Sequence, residues 1–198
     1  LLKKLFNITE SKVEVRRKDD QIEATSLWLI LDDDPAKTIP PYLMAVCMAE
    51  FETKHSVKFG YYATRGMSLL NADVTAIRGQ LSGLGNDVLR GSPLFSSEKM
   101  FAMTEAEYYK QSPDGQRLFD HQAVALCLLL RKEFGEAKMQ GFFRLTARNK
   151  TEDVLRLVYK FRGYEQFDAS YSRYMRDLSN DVLSRNTPDS YLDIKPVK

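Results

Sequence analysis

The last third of the chain constrains the fold most, because its apolar residues recur at helical spacing and glycines mark where the helices stop. From Gln116 to Phe134 the apolar positions are Phe119, Ala123, Leu126, Cys127, Leu130 and Phe134, the spacing of one buried helix face. Gly135 follows, a residue suited to ending a helix. The same periodicity predicts a helix over 138–147, with Met139, Phe142, Phe143 and Leu145, and another over 151–161, with Val154, Leu155 and Val158, closed by Gly163. A fourth, over 167–183, places Phe167, Tyr171, Tyr174, Met175, Leu178 and Val182 on one face. Helices joined by such short links bury their faces against one another, so the expected fold is mainly α, α+β at most, built as a helical array.

Ahead of this array lies Ile39-Pro40-Pro41-Tyr42-Leu43-Met44-Ala45-Val46-Cys47-Met48-Ala49-Glu50-Phe51-Glu52. Proline suits a first helical turn, where its missing N–H would be an orphan anyway. The nearly unbroken apolar run from Tyr42 to Ala49 predicts a helix buried on most sides, with no metal ligand, nucleophile or base on it. Further upstream, Lys12 to Arg17 alternates like a half-exposed strand. Asp19-Asp20 suits the cap of a helix over 21–31, although Trp28 and Ile30 also suit a strand over 26–31. Asp32-Asp33-Asp34-Pro35 reads as a loop, since a calcium loop alternates its ligands and places a glycine at its turn.

Between 57 and 66 an aromatic-rich loop or short extended segment is expected, and 68–91 is punctuated by Gly79, Gly83, Gly85 and Gly91. Gly83-Leu84-Gly85 lacks the preceding strand and third glycine of a phosphate cradle, so helix ends and a loop explain it better. Thr104-Glu105-Ala106-Glu107 is a capping-box pattern that predicts a short helix carrying Tyr108 and Tyr109. That helix should end before a turn at Ser112-Pro113-Asp114-Gly115. The expected organisation is a strand and helix region over 1–38, a helical domain over 39–183 and a polar tail over 184–198, together one compact domain.

Charge excludes one partner class. The 198 residues hold 29 Lys and Arg against 27 Asp and Glu, interleaved, for a net charge of +2. The basic stripe of a nucleic-acid binder is missing. No apolar run approaches the roughly 20 residues that span a bilayer. The chain opens Leu1-Leu2-Lys3-Lys4, as a trimmed or mature fragment would. Cys47 and Cys127 each fall inside an apolar helical pattern and read as buried thiols; spacing does not assign a disulfide.

Side chains that carry chemistry are sparse. His55 and His121 are the two histidines, without the local ligand pairs of a zinc site. Asp120 and His121 are adjacent on a helix, and neighbours there point about 100° apart, so His121 is expected on a partly exposed face. Neither a serine nucleophile elbow nor a cysteine beside a histidine occurs. Glu50 and Glu52 read as the solvated end of the Pro40 helix, Glu105 and Glu107 as helix capping. Phe59, Tyr61, Tyr62, Tyr108, Tyr109, Tyr171 and Tyr174 are the best sign of a binding surface, because tyrosine brings area and a hydrogen-bonding tip at small entropic cost.

The Pro40 helix and the helices after it together resemble the gluzincin-type metallopeptidase-like family often called peptidase MA-like. In that family a motif P-P-W-L-x-x-E-G-x-A-E-Y-F-E carries the third zinc ligand. Here the run from Pro40 to Glu52 keeps the frame, with Val46 where the ligand glutamate falls and Cys47 where the glycine does. Ser92-Pro93-Leu94, Met103-Thr104-Glu105-Ala106-Glu107-Tyr108, the helix around His121-Gln122-Ala123 and Tyr171-Ser172-Arg173-Tyr174-Met175 follow in similar order, so the resemblance covers about 39–183.

The resemblance implies that Ile22-Glu23-Ala24-Thr25-Ser26 stands where H-E-x-x-H would fall. Glu23 would match the general base, and Ile22 and Ser26 would replace both histidines. With Val46 in place of the third ligand no zinc could be held, so neither a cofactor nor a metal is expected. The implied protein is a degenerate, non-catalytic peptidase-like domain, exported or periplasmic, that binds a peptide or protein or serves as a scaffold. The alternatives are a metal-dependent hydrolase whose ligands come from outside this chain, and an unrelated helical interaction domain.

Overall fold

A computed structural model describes residues 12–18, 21–28, 35–72, 74–132 and 134–184, the two strands by their backbone. The fold is mainly α, as the periodicity predicts. Strands β1 (Lys12–Lys18) and β2 (Gln21–Trp28) form an antiparallel hairpin that lies against helix α1 (Pro35–His55). Then follow α2 (Tyr61–Leu70), α3 (Val74–Leu89), α4 (Ser97–Ala102), α5 (Glu105–Tyr109), α6 (Pro113–Lys132), α7 (Glu136–Thr146), α8 (Thr151–Val154) and α9 (Tyr164–Leu183). Where a helix over 21–31 and a strand over 26–31 both fit the sequence, the described residues 21–28 form the strand β2. Ile22, Thr25 and Trp28 favour extended backbone, and β2 pairs with β1 from Lys12↔Trp28 to Lys18↔Gln21. The expectations for 1–11, Asp19-Asp20, 29–34 and the tail beyond 184 lie outside the described residues.

The centre of the molecule is α6 rather than α1. Every residue from Leu118 to Leu130 is buried, which requires neighbours all round this helix. It packs against α2, α3, α7 and α9. Its start is set by Ser112-Pro113, expected as a turn. Proline occupies the first helical position, and the Ser112 hydroxyl accepts the Gly115 N–H at 3.2 Å.

Helix α1, expected to be buried on most sides, is not. Met48 is buried, Val46 half-buried, and Leu43 is 51% exposed. Its apolar residues circle the helix instead of forming one stripe, and α2 and the hairpin cover only part of it. Pro40 and Pro41 stand inside α1, whose first residue is Pro35. Lacking N–H groups, they leave the carbonyls of Ala36 and Lys37 without their i→i−4 bonds.

Other elements begin or end away from expectation for local reasons. The glycine-punctuated stretch is largely the helix α3, with Gly79, Gly83 and Gly85 inside it. The segment over 57–66 becomes helical at Tyr61, after Gly60 in extended conformation. α8 passes directly into a π-helical turn, Leu155–Tyr159, which Lys160 ends in the left-handed conformation (φ 66°). The Thr104 capping box forms as expected: Thr104 Oγ1 accepts the Glu107 N–H at 3.2 Å, and Glu107 accepts the Thr104 N–H at 2.9 Å.

The crossing of α2 over α6 is set by Gly66. A Cβ there would stand 2.5 Å from the Ala123 carbonyl oxygen and 2.6 Å from Cys127 Sγ, both far inside contact distance. Gly66→Ala should therefore destabilise the fold by about 1–3 kcal/mol, the usual cost of overpacking a core, and urea unfolding of the two proteins measures it.

The thiols differ from the expected pair of buried cysteines. Both are free, Cys127 in the core and Cys47 exposed on α1. Burial pushes the Cys127 thiol up to about 12. Mass spectrometry after iodoacetamide treatment at pH 8 should find Cys47 alkylated and Cys127 untouched in the native protein. Both should react in denaturant.

Candidate functional site

Three consecutive polar residues, Asp120, His121 and Gln122, are buried near the start of α6. Since successive helical residues point about 100° apart, each reaches a different neighbour. Asp120 accepts two hydrogen bonds from Arg65 on α2, at 2.8 and 2.7 Å, and one from the Tyr108 hydroxyl on α5 at 3.3 Å. Arg65 also lies over the Tyr108 ring, 5.6 Å from its centroid. His121 Nδ1 meets Asp87 of α3 at 2.8 Å. Gln122 exchanges two bonds with the backbone of Phe95, accepting from its N–H at 2.8 Å and donating to its carbonyl at 2.9 Å. The Tyr171 hydroxyl on α9 donates to the Gln122 carbonyl at 2.7 Å.

This polar collar holds structure together; it has no room for substrate at the histidine. The His121 ring rests on Gly83, whose added Cβ would fall 2.5 Å from Nε2. A cavity of about 580 Å³ adjoins the collar between the 92–96 loop and the start of α6, with Asp87 and Arg117 in its wall, but His121 does not line it. Arg117 and Asp87 approach to 3.4 Å, and Asp114 takes the other arm of the guanidinium at 3.4 Å. His121, expected on a partly exposed face, is buried because the missing side chain of Gly83 leaves space for its ring.

A second concavity, of about 690 Å³, is built from four parts of the chain. Ala45, Ala49 and Glu52 of α1 fall at i, i+4 and i+7, so they present one stripe to it. Facing them are Lys58, Phe59 and Gly60, with Tyr61 and Tyr62 at the start of α2. The end of α4, from Phe101 through the Thr104 cap to Glu105, forms another wall, and Thr146 and Thr151 close it.

The loop into α2 is fixed by Glu52, whose carboxylate accepts the Phe59 N–H at 2.7 Å. Phe59 stacks on Phe51 at 5.6 Å and meets Phe143 edge-on at 6.1 Å. Gly60 precedes α2 because the Tyr62 ring fills the place a Cβ would take. Burial raises both Tyr61 and Tyr62 well above the ordinary tyrosine range, so the groove presents neutral phenols.

The aromatic residues divide accordingly. Tyr62, Tyr108, Tyr171 and Tyr174 are core, Phe59 and Tyr61 are half-buried in the groove, and Tyr109 is 65% exposed. Asp87 and Arg65 were not singled out in the sequence, because no local pattern joins residues that meet across 34 or 55 positions, and Ala45 and Ala49 read there only as part of an apolar run.

The implied vestigial site is split between two kinds of element. Ile22, Glu23 and Ser26 lie on β2 and Val46 on α1. Arg16 pairs with Ala24 and Arg17 with Ile22, so Glu23 is the extra residue of a β-bulge. On a helix, i and i+4 side chains stand about 6 Å apart and can share an ion. On a strand the same spacing is about 13 Å, so β2 does not reproduce an H-E-x-x-H arrangement. Among the described residues, no group of three or more His, Cys, Asp and Glu could hold a metal ion, and no helix is long and apolar enough to cross a membrane. Comparison with protein-family models, with curated proteins and with solved structures finds no match.

The Arg65–Asp120 pair joins the collar to the groove, since the next turn back along α2 carries Tyr61 and Tyr62. Asp120→Ala strips two charge-assisted bonds from a guanidinium that is 37% exposed, so solvent offsets part of the loss. The expected destabilisation is about 1–3 kcal/mol. A double-mutant cycle with Arg65→Ala in urea should show coupling between the two sites, whereas additive losses would mean the pair contributes nothing of its own.

Proposed function

We propose that this chain is a non-catalytic binding module that seats a segment of a peptide or protein in the groove between α1, the start of α2 and the end of α4. The observation that carries this reading is the groove itself. Its volume of about 690 Å³ lies within the roughly 300–1,000 Å³ of ligand sites. Aromatic and small residues line it, with a few polar groups among them, the mixture such sites use for area and orientation.

Peptidase-like descent belongs to the same proposal as its less direct part. It rests on the order of motifs over 39–183 and on the Pro40–Glu52 frame, with Val46 in the ligand position. The extended β2 takes Ile22, Glu23 and Ser26 out of that support.

Ala49→Trp tests the groove. An indole at the middle of the α1 stripe occupies the space a ligand would use, and α1 is exposed enough along its length to tolerate it. Peptides captured from a random heptapeptide phage library by the wild-type protein should lose most of their binding to the variant, on the order of tenfold or more by fluorescence anisotropy. Equal binding by a variant with an unchanged circular dichroism spectrum would place the ligand elsewhere and sink the proposal.

A further inference from the structure

Resting on the binding reading, we infer that the groove holds its peptide by the main chain, taking an extended segment with little regard to its charge. The meeting of two helix ends carries this. At the start of α2 the N–H groups of Gly60, Tyr61 and Tyr62 have no side-chain cap and no backbone partner among the described residues. Opposite them α4 ends, and the carbonyls of Phe101 and Ala102 likewise accept no hydrogen bond among the described residues. All five residues line the groove, and the Phe101 carbonyl oxygen lies 3.6 Å from the place a Gly60 Cβ would take. The first turn of a helix leaves donors over, and the last turn leaves acceptors. A peptide unit carries one of each, so an extended chain answers both ends at once.

Tyr62 is a second, independent observation. The residue is 2% exposed, the hydroxyl-bearing end of its ring rests against Gly60 in the groove wall, and that hydroxyl has no hydrogen-bond partner among the described residues. Buried hydroxyls are nearly always paired, and a ligand carbonyl at the start of α2 supplies the acceptor this one lacks. Charge does not outweigh the pattern. Glu52 is engaged by the Phe59 N–H, and Glu105 and Lys58 are opposite in sign and both exposed, where water screens them.

The probe is the most enriched heptapeptide of the phage library, synthesised with a fluorescent label and read by anisotropy. Proline suits the first helical position, and Gly60 before it has φ −60° and ψ 142°, the extended conformation that a residue preceding proline takes. Tyr61→Pro therefore removes one N–H from the groove and keeps α2, while Tyr61→Ala controls for the lost ring. The probe should bind Tyr61→Pro about threefold or more weakly than Tyr61→Ala. On the wild type, esters that replace each backbone N–H of the probe by oxygen should cost about fivefold or more at one or two positions. Glutamine in place of each charged side chain of the probe should change binding less than about twofold. A flat ester series, or a charge replacement that costs as much as an ester, would overturn main-chain binding; loss of that binding in Ala49→Trp would still keep the groove. Equal binding by Tyr61→Pro and Tyr61→Ala, both with unchanged circular dichroism, would overturn it as well. Binding that ignores Ala49→Trp, or no peptide captured by the wild type, would overturn both.

Discussion

The polar collar on α6 sets where α2, α3, α5, α9 and the loop at Phe95 stand. Asp120, His121 and Gln122 are buried in a helix that is otherwise apolar from Leu118 to Leu130. A buried polar group without a partner costs about 1–3 kcal/mol, so each of the three fixes where its partner must stand. Asp120 fixes α2 and α5 through Arg65 and Tyr108, His121 fixes α3 through Asp87, and Gln122 fixes the loop at Phe95. Apolar packing alone would tolerate a helix sliding or rotating by a fraction of a turn. A two-pronged bond between Arg65 and Asp120 does not.

Close approach does the rest. Gly66 lets α2 settle on the α6 backbone beside Ala123, and Gly83 lets the His121 ring lie against α3. With α2 held one turn further on by Arg65, its first residues have little freedom. Gly60, Tyr61 and Tyr62 therefore form a rigid wall of the groove. The opposite wall, α1, is held differently, by Met48 in the core and by the Glu52 bond to Phe59. One side of the groove is thus bolted to the centre of the fold, and the other rests on it along a helix much of which faces solvent.

Helical identity in the last third was legible because local periodicity and helix stops agree there. Gly135 precedes α7, Gly163 precedes α9, and the Thr104 box caps α5 as its four residues suggest. Boundaries shifted where one residue type serves two purposes: Ser112-Pro113 can make a turn or open a helix, and only the buried run beyond it decides. β2 was left undecided between helix and strand for a related reason. Its residues suit either state alone, and the pairing with β1 is a tertiary fact. The collar was illegible, because Asp87 and His121 lie 34 residues apart and Arg65 and Asp120 lie 55 apart. What could be read was that Asp120 and His121 cannot face one another on a helix. The same geometry explains why each finds a separate partner.

The misreading of α1 is the most instructive about function. Its run of small and apolar residues looked like a helix to be surrounded, and the resemblance put Val46 in the position of the third zinc ligand. In the folded chain Val46 is half-buried, and Ala45 and Ala49 line the groove. Ala45 and Ala49 stand one turn apart on the stripe that faces α2 and α4, and their lack of bulk is what leaves the groove open. Had either been leucine, the space would be core. An alanine in a hydrophobic pattern is usually counted as packing, since it contributes apolar surface and strong helix propensity. Its other property is the volume it declines to fill. Here that volume is bordered by Phe59, Tyr61, Glu52 and Glu105, so the helix that looked most inert in sequence supplies the floor of the groove proposed to seat a ligand.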